Sequence, residues 1–266
     1  MKNRYRGEYD FRVRTYECGP DGVATLPTIC NYLQEAASLN AEALAFSRTN
    51  FMAEGENVSW VLTRLRVHMM RYPKWEETVH VVTWPSGGRR VAATREFAMC
   101  DGTGAQIGVA TSEWMLIDLA SRRIVPIPET VLALAQEELP ARVLGDAPFT
   151  KLRWACAETA LDAQEFRARR SDIDLNGHVN NVHYVSWLLE TVPAGSCTDF
   201  EIVYRSETRV GETVRAESVE VEPGVFVHRL SDSAGRDHVL ARTRFDGTSE
   251  RGGAFQSPVQ FSPRWQ

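Results

Sequence analysis

Hydrophobic and polar positions along the first half of the chain predict one helix among several strands. A period-two pattern covers residues 9–13, and a helix begins near Pro27, where a first-turn proline costs no hydrogen bond. Residues 40–57 fit either an extension of this helix or a loop. Turn residues then separate four alternating patterns, which cover residues 60–68, 77–84, 90–99 and 106–118.

The second half repeats this order of patterns. A strand over residues 165–170 leads through a polar turn into a helix over residues 179–192. Val182, Val185 and Leu189 recur at helical spacing and mark its apolar face. Four strand patterns follow, over residues 199–208, 213–221, 225–230 and 239–245.

Matching residues support an internal repeat between the two halves. Phe11 lies 155 residues before Phe166, and the same offset aligns Tyr32 with Trp187. A lone helix has one apolar face to bury, and a curled antiparallel sheet can cover it. The sequence therefore predicts an α+β fold of two tandem units, each a long helix wrapped by a curled antiparallel sheet.

The repeat and the prolines set the expected domain limits. We expect an N-terminal unit over residues 1–128, a linker over 129–160 and a C-terminal unit over 161–246. The linker is rich in proline, and residues 132–138 within it fit a short helix. The tail, residues 247–266, is rich in Gly, Ser and Pro, so we expect it to lie against the fold or fray.

A polar turn, residues 171–181, separates the strand and helix of the second half. Gly177 supplies the backbone freedom such a turn needs, and Asn180 or Asn181 can cap the helix. The first-half copy has different residues at three of these positions. Asp174 is matched by Gly19, Asn176 by Asp21 and His178 by Val23. Helix capping would require both copies about equally, so the asymmetry indicates that the second turn carries chemistry.

Composition narrows the class of protein. The 30 basic and 35 acidic residues are mixed and give a formal net charge of -5, which does not favour nucleic-acid binding. The five cysteines are scattered without a C-x-x-C pair, as in proteins of reducing compartments, and the histidines lack metal-ligand spacing. No secretory or membrane-spanning apolar run is visible. We expect a soluble, cytoplasmic protein with no metal site and no membrane contact.

The polar turn resembles a known signature. The pattern D-x-D-x-x-G-H-V-x-N-x-x-Y, from Asp172 to Tyr184, is similar to that of hot-dog-fold thioesterases. The longer run DLNGHVNNVHY…WLLE resembles the acyl-ACP thioesterases, which release fatty acids from acyl carrier protein (ACP). Segments 72–85, 95–104, 112–123 and 124–129 resemble that family in the same order, so the resemblance covers roughly residues 5–245.

This resemblance implies a double hot-dog fold and a set of site residues. The family's Asp, Asn and His fall on Asp174, Asn176 and His178, and its acidic residue on the next strand falls on Glu207. Thr208 stands where plant members have a cysteine, which argues against a Cys–His nucleophile here. The family also implies an acyl-chain pocket in the N-terminal unit, ACP docking on a basic surface and no cofactor.

Thioester hydrolysis assigns these residues roles. His178 is the natural proton carrier near neutral pH, and Asp174 can activate water or attack directly. Asn176 can hold the water or the carbonyl, and Glu207 can orient His178 or act as a second base. Free N–H groups at the helix start can receive the oxyanion. We favour water attack because no G-x-S-x-G elbow is present.

Other interpretations stay open. An acyl-CoA thioesterase shares the motif but usually has one hot-dog unit per chain, and a hydratase would also use Asp and His. A non-catalytic acyl-thioester sensor would need a DNA-binding helix pair that the sequence lacks. Several turn residues fit structural roles: Asp172, Asn180 and Asn181 as turn and cap residues, His183 as solvated, Tyr184 and Trp187 as core. Chain-length preference and a homodimer are left open.

Overall fold

The computed structural model describes residues 5–133, 142–154 and 162–245. Its internal contacts divide the chain after Pro148 into two compact units, here unit 1 and unit 2. The limits expected for the linker stay a prediction, since much of residues 129–160 lies outside the described ranges. The tail expected over residues 247–266 also lies outside them.

Unit 1 is an antiparallel sheet with a long helix against it. Its strands are β1 Gly7–Arg12, β2 Val58–Met69, β3 Thr78–Arg89, β4 Ala92–Cys100, β5 Gln106–Asp118 and β6 Ile124–Val125. Its helices are α1 Leu26–Ala43, α2 Arg48–Ala53 and α3 Glu129–Ala133. The sheet order is β1-β3-β4-β5-β2, with β6 on β5, and α1 contacts β1 and β3.

The start of α1 follows from its capping residues. The Thr25 hydroxyl accepts a hydrogen bond from the Thr28 N–H at 3.3 Å, and Pro27 lies in the first turn. Ile29 and Leu33 are buried on the face that meets the sheet. Residues 40–57 hold the end of α1, a connection and then α2.

Unit 2 repeats this architecture. Its elements are β7 Asp162–Arg167, α4 Asn181–Leu189, β8 Cys197–Tyr204, β9 Thr213–Glu222, β10 Val225–Ser231 and β11 Asp237–Phe245. The sheet order is β7-β9-β10-β11-β8. In both units the first strand is therefore followed across the sheet by the third, fourth, fifth and second. The α4 helix contacts β9 and β10. The predicted tandem α+β fold is confirmed.

Corresponding contacts recur in the two units. Phe11 and Tyr32 stack with ring centroids 4.7 Å apart, and Phe166 and Trp187 stack at 5.6 Å. The residue that follows the first strand makes the same backbone hydrogen bond in each unit. The N–H groups of Val13 and Ala168 each donate to the backbone carbonyl of a glutamate at 2.9 Å. The sequence match therefore corresponds to repeated packing.

Unit 2 departs from the prediction in its helix length. The α4 helix has 9 residues, against 18 in α1, and it is shorter than the predicted span 179–192. At its start the Val179 N–H donates to the Thr208 carbonyl at 2.9 Å, which holds that residue in the turn. At its end the Thr191 hydroxyl donates to the Leu188 carbonyl at 2.7 Å and contacts the Ser218 hydroxyl of β9. Tertiary contacts therefore limit this helix at both ends.

Two strands of unit 2 also differ from their predicted limits. The β8 strand ends at Tyr204, before residue 208, because the Arg205 and Ser206 N–H groups both donate to the His238 carbonyl at 2.8 and 3.2 Å. The β7 strand lies at residues 162–167, since Arg170–Asp172 form a 3₁₀ turn. Of the short helix expected at residues 132–138, the structure describes only the part within α3.

A chain of buried hydroxyl groups leads to His228 in unit 2. The Thr191 hydroxyl donates to Leu188 and contacts the Ser218 hydroxyl, so Ser218 must donate to Thr191. Ser218 Oγ lies 2.6 Å from His228 Nδ1, and Nε2 lies 2.7 Å from Thr243 Oγ1. The order of donors leaves the His228 proton on Nδ1 and makes Nε2 the acceptor. Burial lowers the pKa of His228 to about 3.

Within the described ranges, none of the helices combines the length and apolar content that crossing a bilayer requires. The four cysteines found in those ranges, Cys18, Cys30, Cys100 and Cys197, form no disulfide bond.

Candidate active site

The predicted polar turn is a compact loop between β7 and α4. Its 3₁₀ turn begins where the Asp172 carboxylate accepts the Arg169 N–H at 2.7 Å. The Asp172 carbonyl accepts the Asn180 N–H at 2.8 Å, and Ile173 pairs with Val179 across the loop. Asp172 therefore has the structural role predicted for it.

The tip of this loop carries Asp174, Asn176 and His178. The Asp174 N–H donates to the His178 carbonyl at 2.9 Å, and the Gly177 N–H donates to the Asp174 carbonyl at 3.0 Å. Gly177 has φ of 80°, a conformation in which a side chain would be strained. The Asp174 carboxylate accepts the Asn176 N–H at 2.8 Å. The backbone thus brings Asp174 and His178 to the two ends of one tight turn.

His178 contacts Glu207 through its side chain. His178 Nε2 lies 2.9 Å from Glu207 Oε2, with 14% of the histidine and 40% of the glutamate side chain exposed. The next residue of each segment joins them again, since the Thr208 carbonyl accepts the Val179 N–H. Because Glu207 accepts at Nε2, the other ring nitrogen Nδ1 is left to receive a proton.

Asp174 and Asn176 form a second pair at the loop tip. Asn176 Nδ2 lies 3.4 Å from Asp174 Oδ2, and Asn176 is exposed. The structure thus shows two contacting pairs among the four predicted site residues, His178 with Glu207 and Asp174 with Asn176.

The start of α4 differs from the expected oxyanion site. Asn180 caps the helix by accepting the Val182 N–H at 3.0 Å, as predicted. The Asn180 carbonyl accepts the His183 N–H at 2.9 Å. The N–H groups of three of the first residues, at 180, 182 and 183, are thus already engaged. The side chain of Asn176 is exposed at the loop tip.

Buried and hydrogen-bonded residues surround the loop. Tyr184 and Trp187 are buried, as expected, and the Tyr184 hydroxyl accepts the Thr208 N–H at 2.8 Å. Burial raises the pKa of Tyr184. His183 is half-exposed, with Nδ1 4.0 Å from the Asp172 carboxylate. Thr208 is fully buried at 0% exposure, so its hydroxyl cannot meet a substrate as a nucleophile.

The equivalent turn in unit 1 has the same backbone and different side chains. The Gly19 N–H donates to the Val23 carbonyl at 2.8 Å, and Gly22 has φ of 73°. These are the counterparts of the Asp174–His178 bond and of Gly177. The two loops therefore differ in chemistry while sharing a conformation.

Sequence reasoning did not identify the supporting contact between His238 and Thr208. The ring Nδ1 of His238, at the start of β11, lies 2.8 Å from Thr208 Oγ1. The two residues are 30 positions apart, and no local pattern links them. Across the described ranges, no group of three or more His, Cys, Asp or Glu side chains is arranged to hold a metal ion.

Comparison with known families adds to this geometry. The model of the acyl-ACP thioesterase N-terminal domain matches residues 2–135, and that of the acyl-ACP thioesterase C-terminal domain matches residues 157–247. The chain belongs to the acyl-ACP thioesterase family. The two family domains follow each other in the order of the two structural units.

Individual members of the acyl-ACP thioesterase family agree along most of the chain. The oleoyl-acyl carrier protein thioesterase 2, chloroplastic, of Arabidopsis thaliana is 28% identical over 88% of this chain and 68% of its own length. The acyl-[acyl-carrier-protein] hydrolase FATB3, chloroplastic, of Cuphea viscosissima is 31% identical over 88% of this chain and 61% of its own length. The chain thus spans about two thirds of the length of these curated relatives.

A solved structure agrees in fold over nearly its whole length. The 12:0-ACP thioesterase from Umbellularia californica superposes with a TM-score of 0.80 at 27% identity, covering 91% of this chain and 97% of that one. The double hot-dog fold implied by the sequence motif is therefore the fold of this chain.

Proposed function

We propose that this chain hydrolyses the thioester of fatty acyl-ACP and releases a free fatty acid and the carrier thiol. Its membership of the acyl-ACP thioesterase family supports the reaction class. The observation that carries the assignment of the site is the 2.9 Å contact between His178 and Glu207. It lies beside a loop whose copy in unit 1 has valine in place of the histidine.

The proposed reaction begins with attack of water on the thioester carbonyl. His178 Nδ1 takes a proton from the water as its oxygen bonds to the carbonyl carbon, and Glu207 stabilises the resulting imidazolium through Nε2. Asp174 accepts the second hydrogen bond of the water and orients it. The carbon–sulfur bond then breaks, and the thiolate takes the proton from His178.

Asn176 is the proposed donor to the oxyanion. Its side chain is exposed at the loop tip, and the amide nitrogen carries two N–H groups. A donor aimed at the developing charge contributes strongly to such reactions, and loss of one lowers kcat by about 10²–10³-fold. This role replaces the helix-start N–H groups, most of which are engaged.

Water is the proposed nucleophile because neither the Thr208 hydroxyl nor the Cys197 thiol suits that role. Thr208 is buried, and burial raises the pKa of Cys197 to about 12, which keeps that thiol protonated. Direct attack by Asp174 to give an acyl-enzyme is the alternative. Mass spectrometry of enzyme quenched with acid during a single turnover separates the two, since only attack by Asp174 adds the acyl mass to the protein.

The first test is fatty-acid release from a series of acyl-ACPs, with acyl-CoAs alongside. We expect wild type to act on acyl-ACP, and Asp174→Asn and His178→Ala to lower kcat by about a hundredfold or more with the fold intact. His183→Ala is the matched control, because His183 is a half-exposed histidine of the same segment. Tight acyl binding without release by the wild type would instead favour a non-catalytic sensor, and faster release from acyl-CoA would change the carrier.

Exposed arginines around the loop support ACP as the partner. Arg167, Arg169, Arg170 and Arg209 are exposed, and the Asp172 and Glu212 carboxylates accept the backbone N–H groups of Arg169 and Arg209 at 2.7 and 2.8 Å. Arg167 Nε donates to the Gly211 carbonyl at 3.3 Å, which brings the 209–211 loop beside the β7 end. We call these four residues the arginine surface. The positive charge of these exposed side chains favours docking of an acidic carrier.

The proposal also covers where the acyl chain binds, the cellular compartment and the oligomeric state. We propose that unit 1 holds most of the acyl chain, that the protein is cytoplasmic and that it forms either a monomer or a homodimer. The named plant relatives are chloroplastic, so the compartment needs its own test. Cell fractionation and light scattering of the purified protein decide the last two points.

A further inference from the structure

His238 holds the loop that carries Glu207 at both of its ends. Its carbonyl accepts the Arg205 and Ser206 N–H groups at the beginning of the loop. Its ring Nδ1 lies 2.8 Å from Thr208 Oγ1 at the end of the loop. His238 is 1% exposed, so these contacts are shielded from solvent.

The N–H, carbonyl and hydroxyl groups of Thr208 each make a hydrogen bond. Its N–H donates to the Tyr184 hydroxyl at 2.8 Å, and its carbonyl accepts the Val179 N–H at 2.9 Å. Its hydroxyl meets His238. The bond to Val179 matters most for the site, because it joins the residue after His178 to the residue after Glu207. A shift of Thr208 therefore moves Glu207 relative to His178.

The charges around His238 define where its proton lies. Asp232 Oδ2 faces Nε2 at 3.5 Å, too long for a strong hydrogen bond, and Arg236 Nη2 lies 3.0 Å from the same oxygen. Asp237 is engaged by Arg205 at 2.8 Å. The carboxylate opposite Nε2 favours a proton on that nitrogen, so Nδ1 accepts the Thr208 hydroxyl proton.

We propose that His238 and Thr208 are positioning residues that hold the Glu207 carboxylate against His178. The order of contacts is Asp232, His238, Thr208 and then the Glu207–His178 pair. It resembles a hydroxyl–imidazole–carboxylate triad in composition, but the buried hydroxyl positions a neighbouring carboxylate and forms no bond to substrate. The effect on turnover rests on the proposed function, whereas the effect on the His178 ring does not.

The test compares variants that keep or remove one atom. Thr208→Val removes the hydroxyl at nearly constant shape, and Thr208→Ser restores it. His238→Asn keeps an acceptor near the Nδ1 position, and His238→Gln places its amide near Nε2 instead. His228→Gln is the matched control, since His228 is also a buried histidine of unit 2 between two hydroxyl groups but has no contact with the Glu207 loop.

Two measurements are made on each folded variant: kcat and KM on acyl-ACP, and the ¹⁵N signals of the His178 ring. We expect Thr208→Val and His238→Gln to lower kcat about ten- to a hundredfold at nearly constant KM, because small displacements of reacting groups cost this much. Both variants should also lose the tautomer fixed by the Nε2–Glu207 contact. Thr208→Ser and His238→Asn should retain both properties.

An unchanged His178 spectrum in Thr208→Val and His238→Gln would overturn the proposal, as would an equal change in His228→Gln. A wild type that releases no fatty acid would refute the proposed function alone, because the ¹⁵N signals still report whether Thr208 and His238 position the pair.

Discussion

At the scale of single residues, the polar turns of the two units share a backbone conformation and differ in a few side chains. The turn bonds of unit 1 and unit 2 agree within 0.1 Å for the pair Gly19–Val23 at 2.8 Å and Asp174–His178 at 2.9 Å. The turn requires only the backbone bonds that both units share. His178 is therefore not needed to form the turn, and its contact with Glu207 is best explained by chemistry.

The buried His228 predicts how stability depends on pH. Its folded pKa of about 3 lies below the ordinary 6.5, so between these values the unfolded chain binds the extra proton. Stability from this residue is complete above pH 6.5 and is lost as pH falls toward 3, with a slope of up to about 1.4 kcal/mol per pH unit. We expect His228→Gln to be less stable at pH 7 but to lose less stability on acidification.

Urea unfolding at pH 7 and pH 5 checks this expectation. Carboxylates contribute to acid unfolding in both proteins, so the quantity compared is the difference between wild type and variant at each pH. His183→Gln is the control, since His183 is half-exposed. An identical fall in stability for wild type and His228→Gln would show that His228 does not bind the proton on unfolding.

At the scale of elements, the strand–turn–helix segment is what places the site. In unit 2 this segment ends in a helix of 9 residues whose first turn is joined to Thr208, and in unit 1 it leads to a helix of 18 residues. The shorter helix is a consequence of tertiary bonds at both ends. The loop between β7 and α4 is accordingly held from two sides, which suits a site that must keep its geometry.

Two glycines allow the conformation of the loop to be tested. Gly177 and Gly22 both have positive φ, at 80° and 73°, and a Cβ at either position would meet no atom within 4 Å. Replacement by alanine thus introduces backbone strain without a clash, at a cost of about 1–2 kcal/mol. We expect Gly177→Ala and Gly22→Ala to lower the unfolding free energy by similar amounts.

Activity should separate these two variants. Gly177→Ala disturbs the turn between Asp174 and His178, so kcat on acyl-ACP should fall, whereas Gly22→Ala should leave it unchanged at a temperature where both are folded. Gly102→Ala is a further control, because Gly102 has open space and no positive φ. Equal loss of activity in the unit 1 and unit 2 variants would mean that the loop of unit 2 has no special role.

At the scale of the whole molecule, recognition of a carrier requires a surface as well as a site. The arginine surface flanks the loop, and Leu175 at its tip is 98% exposed. A net charge of -5 for the chain makes this local positive charge the more notable, because it is set against an acidic average. Long-range attraction of an acidic partner would act mainly here.

Charge reversal tests this surface. We expect Arg167→Glu with Arg170→Glu to raise KM for acyl-ACP about tenfold or more, with little change in turnover of a small acyl-pantetheine substrate that has no protein part. Arg244→Glu is the matched control, since it lies seven residues from the Asp237 end of β11, roughly 23 Å along the strand. Equal effects on both substrates, or in the control, would contradict docking at the arginine surface.

Much of the fold was accessible from the sequence because it rests on short-range signals. The periods of the strands, Pro27 at the start of α1 and the repeated Phe11 and Phe166 contacts are all local or related by one offset. The turn composition also singled out Asp174, Asn176 and His178. The early end of β8 and the role of His238 were not accessible, because they depend on bonds between residues distant in the chain.

The hydroxyl chain through His228 has a consequence for measurement. Its order of donors fixes one imidazole proton on Nδ1, and the histidine is fully buried. That proton can exchange with deuterium oxide only when unit 2 opens, so its lifetime reports the opening of this unit separately from unit 1. The exchange rate of the His228 ring proton thus measures how often unit 2 opens, without an attached label.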